Sequence, residues 1–419
     1  MNTCEYEDRS TCLKTIIRQK HHRKIVSGIR LLTESCNTAR TSSIVSAREV
    51  NKDQEDVLEQ KSELPRDILM HQILARLPIK SLLRSKLVSK EWYTTVSSKE
   101  FANIHLKTCY SSLCPSSPVD CLFIQAEKDF YLFYLQEGEK VLDYSLVKLE
   151  PNFECNSLNE LRLVGSCNGL VCLSDSLAGY IYVWNPIAYN WQKFSDLCLY
   201  SYNYCISWGF AYVSSIDDYK VVRIAENYDT QEISVSVFSL QTKEWKQIHD
   251  HGLDHRVSLA KTNPGVLVND TLYWIMETRD STRKNVVVGF NLKLEKFDEI
   301  PGLFPRSAGF HNHFLCVMGG CLSLCSSNLH KESYLSMMKQ SGEVVESILL
   351  SSNSKSWSYS SLVGFTGTGK SLVVSKSWEL ALVDMNSSPK QYIPLVTFDE
   401  ARKPYMVSYF PSLIPPFVV

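Results

Sequence analysis

The sequence predicts a multidomain α + all-β protein, in which a short helical domain is followed by a β-propeller of about six blades, with five or seven as alternatives. Two observations predict this. From Ser62 to Leu106, apolar residues recur at steps of about three to five, which is a helical period. From Val119 to Val419, short apolar runs alternate with turn sequences about every eight to twelve residues, as in an all-β fold.

Composition divides the chain into four parts. Residues 1–60 are polar and poorly patterned, and we expect them to be disordered or partly helical. Residues 62–106 carry the helical pattern, residues 107–118 form a Ser/Pro linker, and residues 119–419 carry the β pattern.

The overall composition narrows the classes of function. The 44 basic and 45 acidic residues give a net charge of −1, which provides no field for binding nucleic acid or an anionic membrane. No run approaches the ~20 apolar residues of a membrane helix, and the start of the chain lacks the apolar core of a secretion signal. The fourteen cysteines include no CxxC pair, so we interpret them as reduced thiols in the cytoplasm and/or nucleus.

Proline and serine mark the ends of the predicted helices. Pro65 suits a first helical turn, and Pro78 interrupts the pattern because it cannot continue a helix. Ser89 and Ser98 each precede a helical run and are predicted N-caps. Such short helices bury little apolar surface by themselves, so we expect this domain to share its core with a neighbour or a partner.

The helical domain also resembles a known family. Its order Leu-Pro-x-Asp-Ile, then Ile-Leu-x-Arg-Leu-Pro-x-Lys-Ser-Leu-Leu-Arg, then Val-Ser-Lys-x-Trp, resembles an F-box. It departs from the usual pattern at Gln72 and at Ser85, Lys86 and Leu87. The resemblance implies docking onto the Skp-type adaptor of a cullin–RING ubiquitin ligase; the alternative is that these are core residues of a free helical domain. The adaptor-binding residues it implies are Leu64, Pro65, Ile68, Ile73, Leu77, Pro78, Leu82, Leu83, Val88 and Trp92.

Two sequence marks repeat through the β-rich part at about 50 residues, which is the kelch-like propeller period. One is a tight turn between apolar runs, and the other is a pair of aromatic residues flanking a second turn. The turns are Asn168-Gly169, Asp217-Asp218, Asn269-Asp270, Gly319-Gly320 and Thr368-Gly369, and the aromatic pairs are Trp184 with Trp191, Phe238 with Trp245, and Phe290 with Phe297.

Each repeat is predicted to be one four-stranded blade. In the clearest repeat, the predicted strands are residues 161–167, 169–174, 180–185 and 191–194. Residues 405–409 are predicted to form a last strand that closes the ring beside the first blade. The runs LVGSCNGLVCL and YVWNP resemble the F-box-associated domain of plant F-box proteins, and this resemblance implies a propeller that binds a protein target.

Two groups of residues are candidates for chemistry. Residues 364–371 match the phosphate-binding pattern G-x-x-x-x-G-K-S, but the following residues favour a strand, and we interpret the match as a hairpin turn. Two histidine clusters, at residues 249–255 and 311–313, could bind zinc, but we predict that they lie on surface loops and help nearby tyrosines to bind a target. We predict no cofactor, metal or catalytic residue. The predicted target-binding residues are Tyr200, Tyr202, Tyr204, His249, His251, His255, His311 and His313.

Together, these features predict a non-catalytic substrate receptor of a ubiquitin ligase, with an adaptor and an unknown protein target as partners and neither nucleic acid nor membrane. Two alternatives remain open at this point. One is an F-box scaffold without a role in degradation. The other is a propeller enzyme, a hydrolase or a sugar-acting protein, because propellers host both binding and catalysis.

Overall fold

The computed structural model describes residues 68–112, 121–137, 142–155, 158–196, 203–257, 264–304, 310–328, 333–339, 342–351, 360–365, 371–376, 379–384, 387, 391–398 and 404–416. These residues all belong to one compact unit, Pro65–Val419.

The described part of the chain begins at Ile68 with a set of short helices. A π-helical turn (Ile68–Ile73) leads into a 3-10 turn (Leu74–Arg76), and three α-helices follow: α1 (Ile79–Ser85), α2 (Lys90–Ser97) and α3 (Lys99–Ser112). The last helix extends to Ser112, past the predicted end of the helical domain and into the predicted linker.

The predicted helix boundaries at Pro78, Ser89 and Ser98 are confirmed. Pro78 is the residue immediately before α1. The Ser89 side chain accepts a hydrogen bond from the backbone N–H of Trp92 at 3.2 Å, and Ser98 accepts one from Phe101 at 3.1 Å. Each serine therefore satisfies an N–H that has no partner inside its own helix.

Antiparallel strands make up the rest of the described chain. Blade 1 contains β1 (Cys121–Ala126), β2 (Asp129–Glu137) and β3 (Leu142–Leu149); blade 2 contains β4 (Leu161–Cys167), β5 (Leu170–Asp175), β6 (Tyr180–Asn185) and β7 (Asn190–Ser195), with a 3-10 turn at Leu158–Glu160 before it; blade 3 contains β8 (Tyr204–Val213), β9 (Asp218–Asn227), β10 (Ile233–Ser239) and β11 (Glu244–Ile248). Blade 4 contains β12 (His255–Arg256), β13 (Val266–Val268), β14 (Thr271–Thr278), β15 (Asn285–Asn291) and β16 (Lys296–Ile300); blade 5 contains β17 (Phe310–Met318), β18 (Cys321–Asn328), β19 (Ser333–Met338) and β20 (Val344–Ser351); blade 6 contains β21 (Ser360–Phe365), β22 (Ser371–Lys376), β23 (Glu379–Asp384) and β24 (Gln391–Thr397).

The described strands form six sheets, one for each expected blade. The innermost strands β4, β8, β13, β17 and β21 contact one another in that order. The final strand, β25 (Tyr405–Ser408), pairs with β1 and contacts both β21 and β4, so it closes the ring. The predicted role of the C-terminal strand is therefore confirmed.

Blade 2 matches its predicted strands to within one residue at each end. Blade 4 differs from the four-stranded unit, because both β12 and β13 pair with β14. Hydrophobic side chains on both faces of the blades pack against their neighbours, as expected for sheets that are buried on both sides.

The tight turns explain why Asn, Asp and Gly recur at these positions. Asn168 and Gly169 have φ of 51° and 79°, and Asn269 and Asp270 have φ of 48° and 58°. Two successive positive φ values define the turn type that suits a two-residue hairpin, and these residue types tolerate them. In blade 3, only Asp217 of the predicted Asp217-Asp218 turn has a positive φ, of 49°. Asp218 is already the first residue of β9.

No helix in the described part of the chain is long and apolar enough to cross a membrane.

Candidate adaptor-binding and target-binding surfaces

The two edges of the propeller differ. When the strands of each blade are counted outward from the innermost one (β25 in blade 1, β13 in blade 4), the connections between the first and second and between the third and fourth strands lie on one edge. We call this edge the turn face; it includes Asn168, Gly169, Asn185 and Asp217. The remaining connections lie on the opposite edge, which we call the loop face. On the loop face, the backbone N–H of Tyr228 donates to the Asn203 carbonyl at 2.8 Å.

The helical domain packs on the turn face. Its buried residues Leu74, Leu82 and Phe101 belong to one hydrophobic core with Leu170 and Cys172 of blade 2. The expectation that this domain shares its core with a neighbour is therefore confirmed, and the neighbour is the propeller of the same chain.

Polar contacts fix the helical domain to the turn face. Lys99 at the start of α3 forms an ion pair with Asp217 at 3.3 Å, and the Tyr212 hydroxyl donates to the same carboxylate at 2.8 Å. The Tyr212 hydrogen bond, followed by Lys99, holds the pKa of Asp217 below its usual value. The Lys80 ammonium lies 5.4 Å from the centre of the Tyr134 ring on blade 1.

The C-terminal segment after β25 crosses the turn face as well. The Tyr409 hydroxyl donates to the Gly169 carbonyl at 3.0 Å, and the Asn185 amide donates to the carbonyls of Ser412 and Ile414 at 3.0 and 2.8 Å. Leu413 and Ile414 are buried in the core that the helices and blade 2 share. This segment therefore joins the propeller to the helical domain.

Inside the helical domain, one buried histidine links α3 to the turn before α1. His105 is 2% exposed, and its Nε2 donates to the Leu77 carbonyl at 3.0 Å. Burial lowers the pKa of His105, and the hydrogen bond to Leu77 opposes this shift.

The structure sorts the predicted adaptor-binding residues by exposure, and their contact with an adaptor stays a prediction. Four of them are exposed: Ile68, Ile73, Pro78 and Val88. Three are partly buried and pack against the core: Leu77, Leu83 and Trp92. Leu82 is fully buried, and Leu64 and Pro65 lie outside the described residues. Leu82 therefore has no surface to offer an adaptor, because it packs inside the protein.

The exposed apolar side chains of the helical domain are the strongest sign of a partner. They are Ile68 at 39%, Ile73 at 42%, Leu87 at 87%, Val88 at 67% and Tyr93 at 57% exposure, and we call them the F-box apolar residues. Large apolar side chains clustered in one small module and left in water are typical of an interaction site. Sequence reasoning missed Leu87 and Tyr93, because helical periodicity marks apolar positions without showing which of them a neighbouring domain covers.

The same module is basic. Residues 68–112 contain seven lysines and arginines against two glutamates, Glu91 and Glu100. Arg84, Lys86 and Lys90 flank the exposed Leu87 and Val88 along the chain. An acidic partner surface would complement this charge and would accelerate association.

The loop face presents aromatic and charged side chains from neighbouring blades. Tyr204 and Tyr228 are 36% and 38% exposed. Arg279 donates from Nη2 to the Gln231 carbonyl at 2.9 Å and forms an ion pair with Asp254 at 3.1 Å, which links the loops of blades 3 and 4. Tyr228 and Arg279 are not among the residues predicted from the sequence. Tyr228 lies between β9 and β10, and Arg279 lies between β14 and β15, so the predicted strand order could have placed both on the loop face.

The predicted target-binding histidines do not form one exposed group. His249 is exposed, whereas His251 is half-buried, accepts the Leu253 N–H at 3.0 Å and packs its ring edge-on against Phe297. Burial is the largest influence on His251 and lowers its pKa. His255 lies on β12, with Nε2 3.3 Å from a carboxylate oxygen of Glu299.

The prediction that His311 and His313 lie on a loop between blades is wrong. Both lie within β17, and His313 is 5% exposed. Its Nδ1 lies 2.9 Å from the Ser326 hydroxyl, and its ring packs edge-on against Phe304. The ladder pairing of β17 with β18 therefore places His313 in the interior. Tyr200 and Tyr202 lie outside the described residues.

The nucleotide-binding interpretation of residues 364–371 is excluded by the strands around it. β21 and β22 pair as antiparallel neighbours, whereas a phosphate-binding loop needs a helix at Ser371. Residues 366–370 lie outside the described ranges. Within those ranges, no group of three or more His, Cys, Asp or Glu side chains is arranged to hold a metal ion.

Comparison with known proteins agrees with this architecture. Residues 62–103 match the F-box domain, and residues 121–388, more than half of the chain, match the F-box associated beta propeller domain. The chain belongs to the F-box-associated β-propeller family. Two relatives from Arabidopsis thaliana illustrate the match: F-box/kelch-repeat protein At3g23880 is 27% identical over 66% of this chain and 76% of its own length, and F-box protein CPR1 is 26% identical over 81% and 83%.

One solved structure, AofleA from Arthrobotrys oligospora, covers 71% of this chain and 88% of its own, at 9% identity and a TM-score of 0.39. This likeness is too distant to carry an argument about binding.

Proposed function

We propose that this F-box protein is a substrate-recognition subunit of a cullin–RING ubiquitin ligase. The F-box docks on a Skp-type adaptor, and the propeller binds a protein target. The observation that carries the proposal is the placement of the described side chains on two opposite faces: the helical domain packs on the turn face, and the exposed Tyr204 and Tyr228 lie on the loop face.

The F-box apolar residues support adaptor docking. Leu87 and Val88 together expose most of two large apolar side chains, and burying one such side chain contributes about 1.5–3 kcal/mol. The basic residues around them add attraction to an acidic adaptor surface and a dependence of the association rate on salt.

The loop face supports target binding. Tyr204 and Tyr228 supply aromatic contact area at a small entropic cost, and Arg279 supplies charge; tyrosine and arginine are enriched among the residues that dominate protein interfaces. The fixed contact between helical domain and propeller would hold a bound target at a constant distance from the ligase. Ubiquitin transfer then depends on proximity, and the chain itself carries out no chemistry.

We also propose that the protein works in the cytoplasm and/or nucleus. The buried Cys172 and Cys205 form no disulfide, which suits a reducing compartment.

The test separates the two faces by substitution in the full chain. Deleting the F-box is a poor experiment, because it would uncover Leu170 and the rest of the shared core. Leu87→Asp with Val88→Asp alters only exposed positions of the helical domain, and Tyr228→Asp with Arg279→Asp alters the loop face.

Both variants and the native chain are captured from cells with the proteasome inhibited, and the bound adaptor and the other bound proteins, whether ubiquitylated or not, are quantified. The expected result is that the first variant loses the adaptor and keeps the targets, whereas the second keeps the adaptor and loses the targets. Loss of both partners in either folded variant, or of neither in both, contradicts the proposal.

A further inference from the structure

A buried arginine between blades 2 and 3 has no hydrogen-bonding partner for two of its nitrogens. Arg223 lies on β9, opposite Trp208 of β8 and Ser236 of β10, and it is 3% exposed. Its Nε and Nη2 atoms are buried and make no hydrogen bond. The guanidinium keeps its proton in proteins, so a full positive charge is buried here.

The side chain points toward blade 2. Arg223 shares a face of its sheet with Trp208, and the guanidinium carbon lies 5.8 Å from the centre of the Trp208 ring. Phe238 on the same face lies 5.0 Å from Phe194 of blade 2, ring centre to ring centre. Trp245 donates from Nε1 to the Ser195 carbonyl of blade 2 at 2.9 Å. Arg223 therefore faces the space between the two blades.

The two nitrogens of Arg223 without a hydrogen bond lie on the same edge of its guanidinium group. The Nε–H bond and one Nη2–H bond of a guanidinium point the same way along one edge. That edge is the fork that binds both oxygens of a carboxylate, or two oxygens of a phosphate, with two parallel hydrogen bonds. In Arg223 this whole edge is unused.

The surroundings do not compensate for the charge. The Trp208 ring provides a cation–π contact but no hydrogen-bond acceptor, and the Ser236 hydroxyl donates to Gln247 Oε1 at 2.7 Å. No described carboxylate forms an ion pair with Arg223. A buried charge without a partner is strongly unfavourable, so a ligand that supplies two oxygens would stabilise the fold.

A second polar group faces the same space. Gln192 on β7 of blade 2 lies opposite Val183, whose side chain packs in the core between blades 2 and 3. The buried Oε1 of Gln192 makes no hydrogen bond. Gln192 is therefore a second buried polar group without a hydrogen bond in the interface between blades 2 and 3.

We propose that Arg223 holds an oxyanion, a carboxylate or phosphate group, in the space between blades 2 and 3. Nε and Nη2 donate to its two oxygens, and Trp208 packs beside the guanidinium. The site involves neither the F-box apolar residues nor the loop face, so it goes beyond the proposed receptor function and stands independently of it.

The test measures thermal unfolding of the full chain in chloride at constant ionic strength, with sodium phosphate or sodium acetate titrated in separate arms. Arg223→Met keeps the length of the side chain and removes the charge, and Arg84→Met is the matched control at an exposed position. We expect the melting temperature of the native chain and of Arg84→Met to rise and saturate with one of the two anions. The anion that acts identifies the ligand as phosphate or carboxylate.

Arg223→Met is expected to bind that anion about 10- to 100-fold more weakly, because two hydrogen bonds to a charged group are lost. In chloride alone it should melt no lower than the native chain. Arg223→Lys keeps the charge but removes the fork, and it should also bind at least about tenfold more weakly. An equal response of the native chain and both Arg223 variants, or no saturable response to either anion, would overturn the proposal.

Discussion

At the scale of single residues, Leu82 shows how the helical domain contributes to the stability of the whole unit. It is fully buried in the core that the helices share with blade 2. Leu82→Ala should lower the free energy of unfolding by about 2–5 kcal/mol, because it removes buried methyl groups and leaves a cavity. Urea unfolding of the full chain measures this, with Leu87→Ala as the exposed control at about 0.5 kcal/mol or less. Equal effects would mean that the helical domain does not pack as described.

His105 gives the stability of the protein a dependence on pH. Burial keeps its pKa below the ordinary value of 6.5, so the folded state resists protonation that the unfolded state accepts. The contribution of neutral His105 is fully present above pH 6.5 and is lost as the pH falls toward its folded pKa. The free energy of unfolding should therefore be lower at pH 5.5 than at pH 7.5.

His105→Gln should reduce this difference between the two pH values, because glutamine has no proton to gain, whereas His249→Gln, at an exposed position, should leave it unchanged. Denaturant unfolding at both pH values provides the measurement. A His105→Gln variant with an undiminished pH dependence would assign the effect to other groups.

At the scale of elements, the first tight turn of blade 2 and the C-terminal segment depend on each other. A Cβ on Gly169, whose φ is +79°, would clash with the Ser412 hydroxyl and lie 2.7 Å from the Ser412 backbone nitrogen, whereas one on Gly319, whose φ is +57°, would meet nothing within 4 Å. Gly319→Ala should therefore lower the free energy of unfolding by about 1–2 kcal/mol, the cost of a left-handed backbone for alanine.

Gly169→Ala adds the clash with Ser412 to this cost and should lower the free energy of unfolding by about 2–5 kcal/mol in total. Thermal or urea unfolding of both variants gives the comparison. If the two substitutions cost the same, the C-terminal segment does not pack against this turn in solution.

Elements were predictable from the sequence where local chemistry decides them. Ser89 and Ser98 act as caps because a serine hydroxyl satisfies free helix N–H groups, and Asn168-Gly169 turns the chain because both residues tolerate positive φ. The interior place of His313 was missed because β17 begins at Phe310, before the apolar run that predicted the strand, and β12 was missed because its pairing partner β14 lies beyond β13 along the chain. Burial of Leu82 likewise depends on a blade about ninety residues further along the chain.

At the scale of the whole molecule, the repeat of about 50 residues was sufficient to predict the propeller, and the ring of innermost strands closed by β25 bears it out. The position of the helical domain on the turn face was not predictable, because the contact of Lys99 with Asp217 joins two modules whose local patterns are independent. That placement puts the helical domain on the edge opposite the exposed Tyr204 and Tyr228 of the loop face.

The most direct test of the account is the affinity of the purified full chain for a Skp-type adaptor, measured by calorimetry for the native protein, Leu87→Asp with Val88→Asp, and Tyr228→Asp with Arg279→Asp as the loop-face control. We predict that the F-box variant binds at least about 100-fold more weakly, since two buried apolar contacts are lost, and that the loop-face control binds like the native chain. Equal affinity of all three proteins, or no binding of the native chain, would contradict the assignment of the helical domain as the adaptor-binding module.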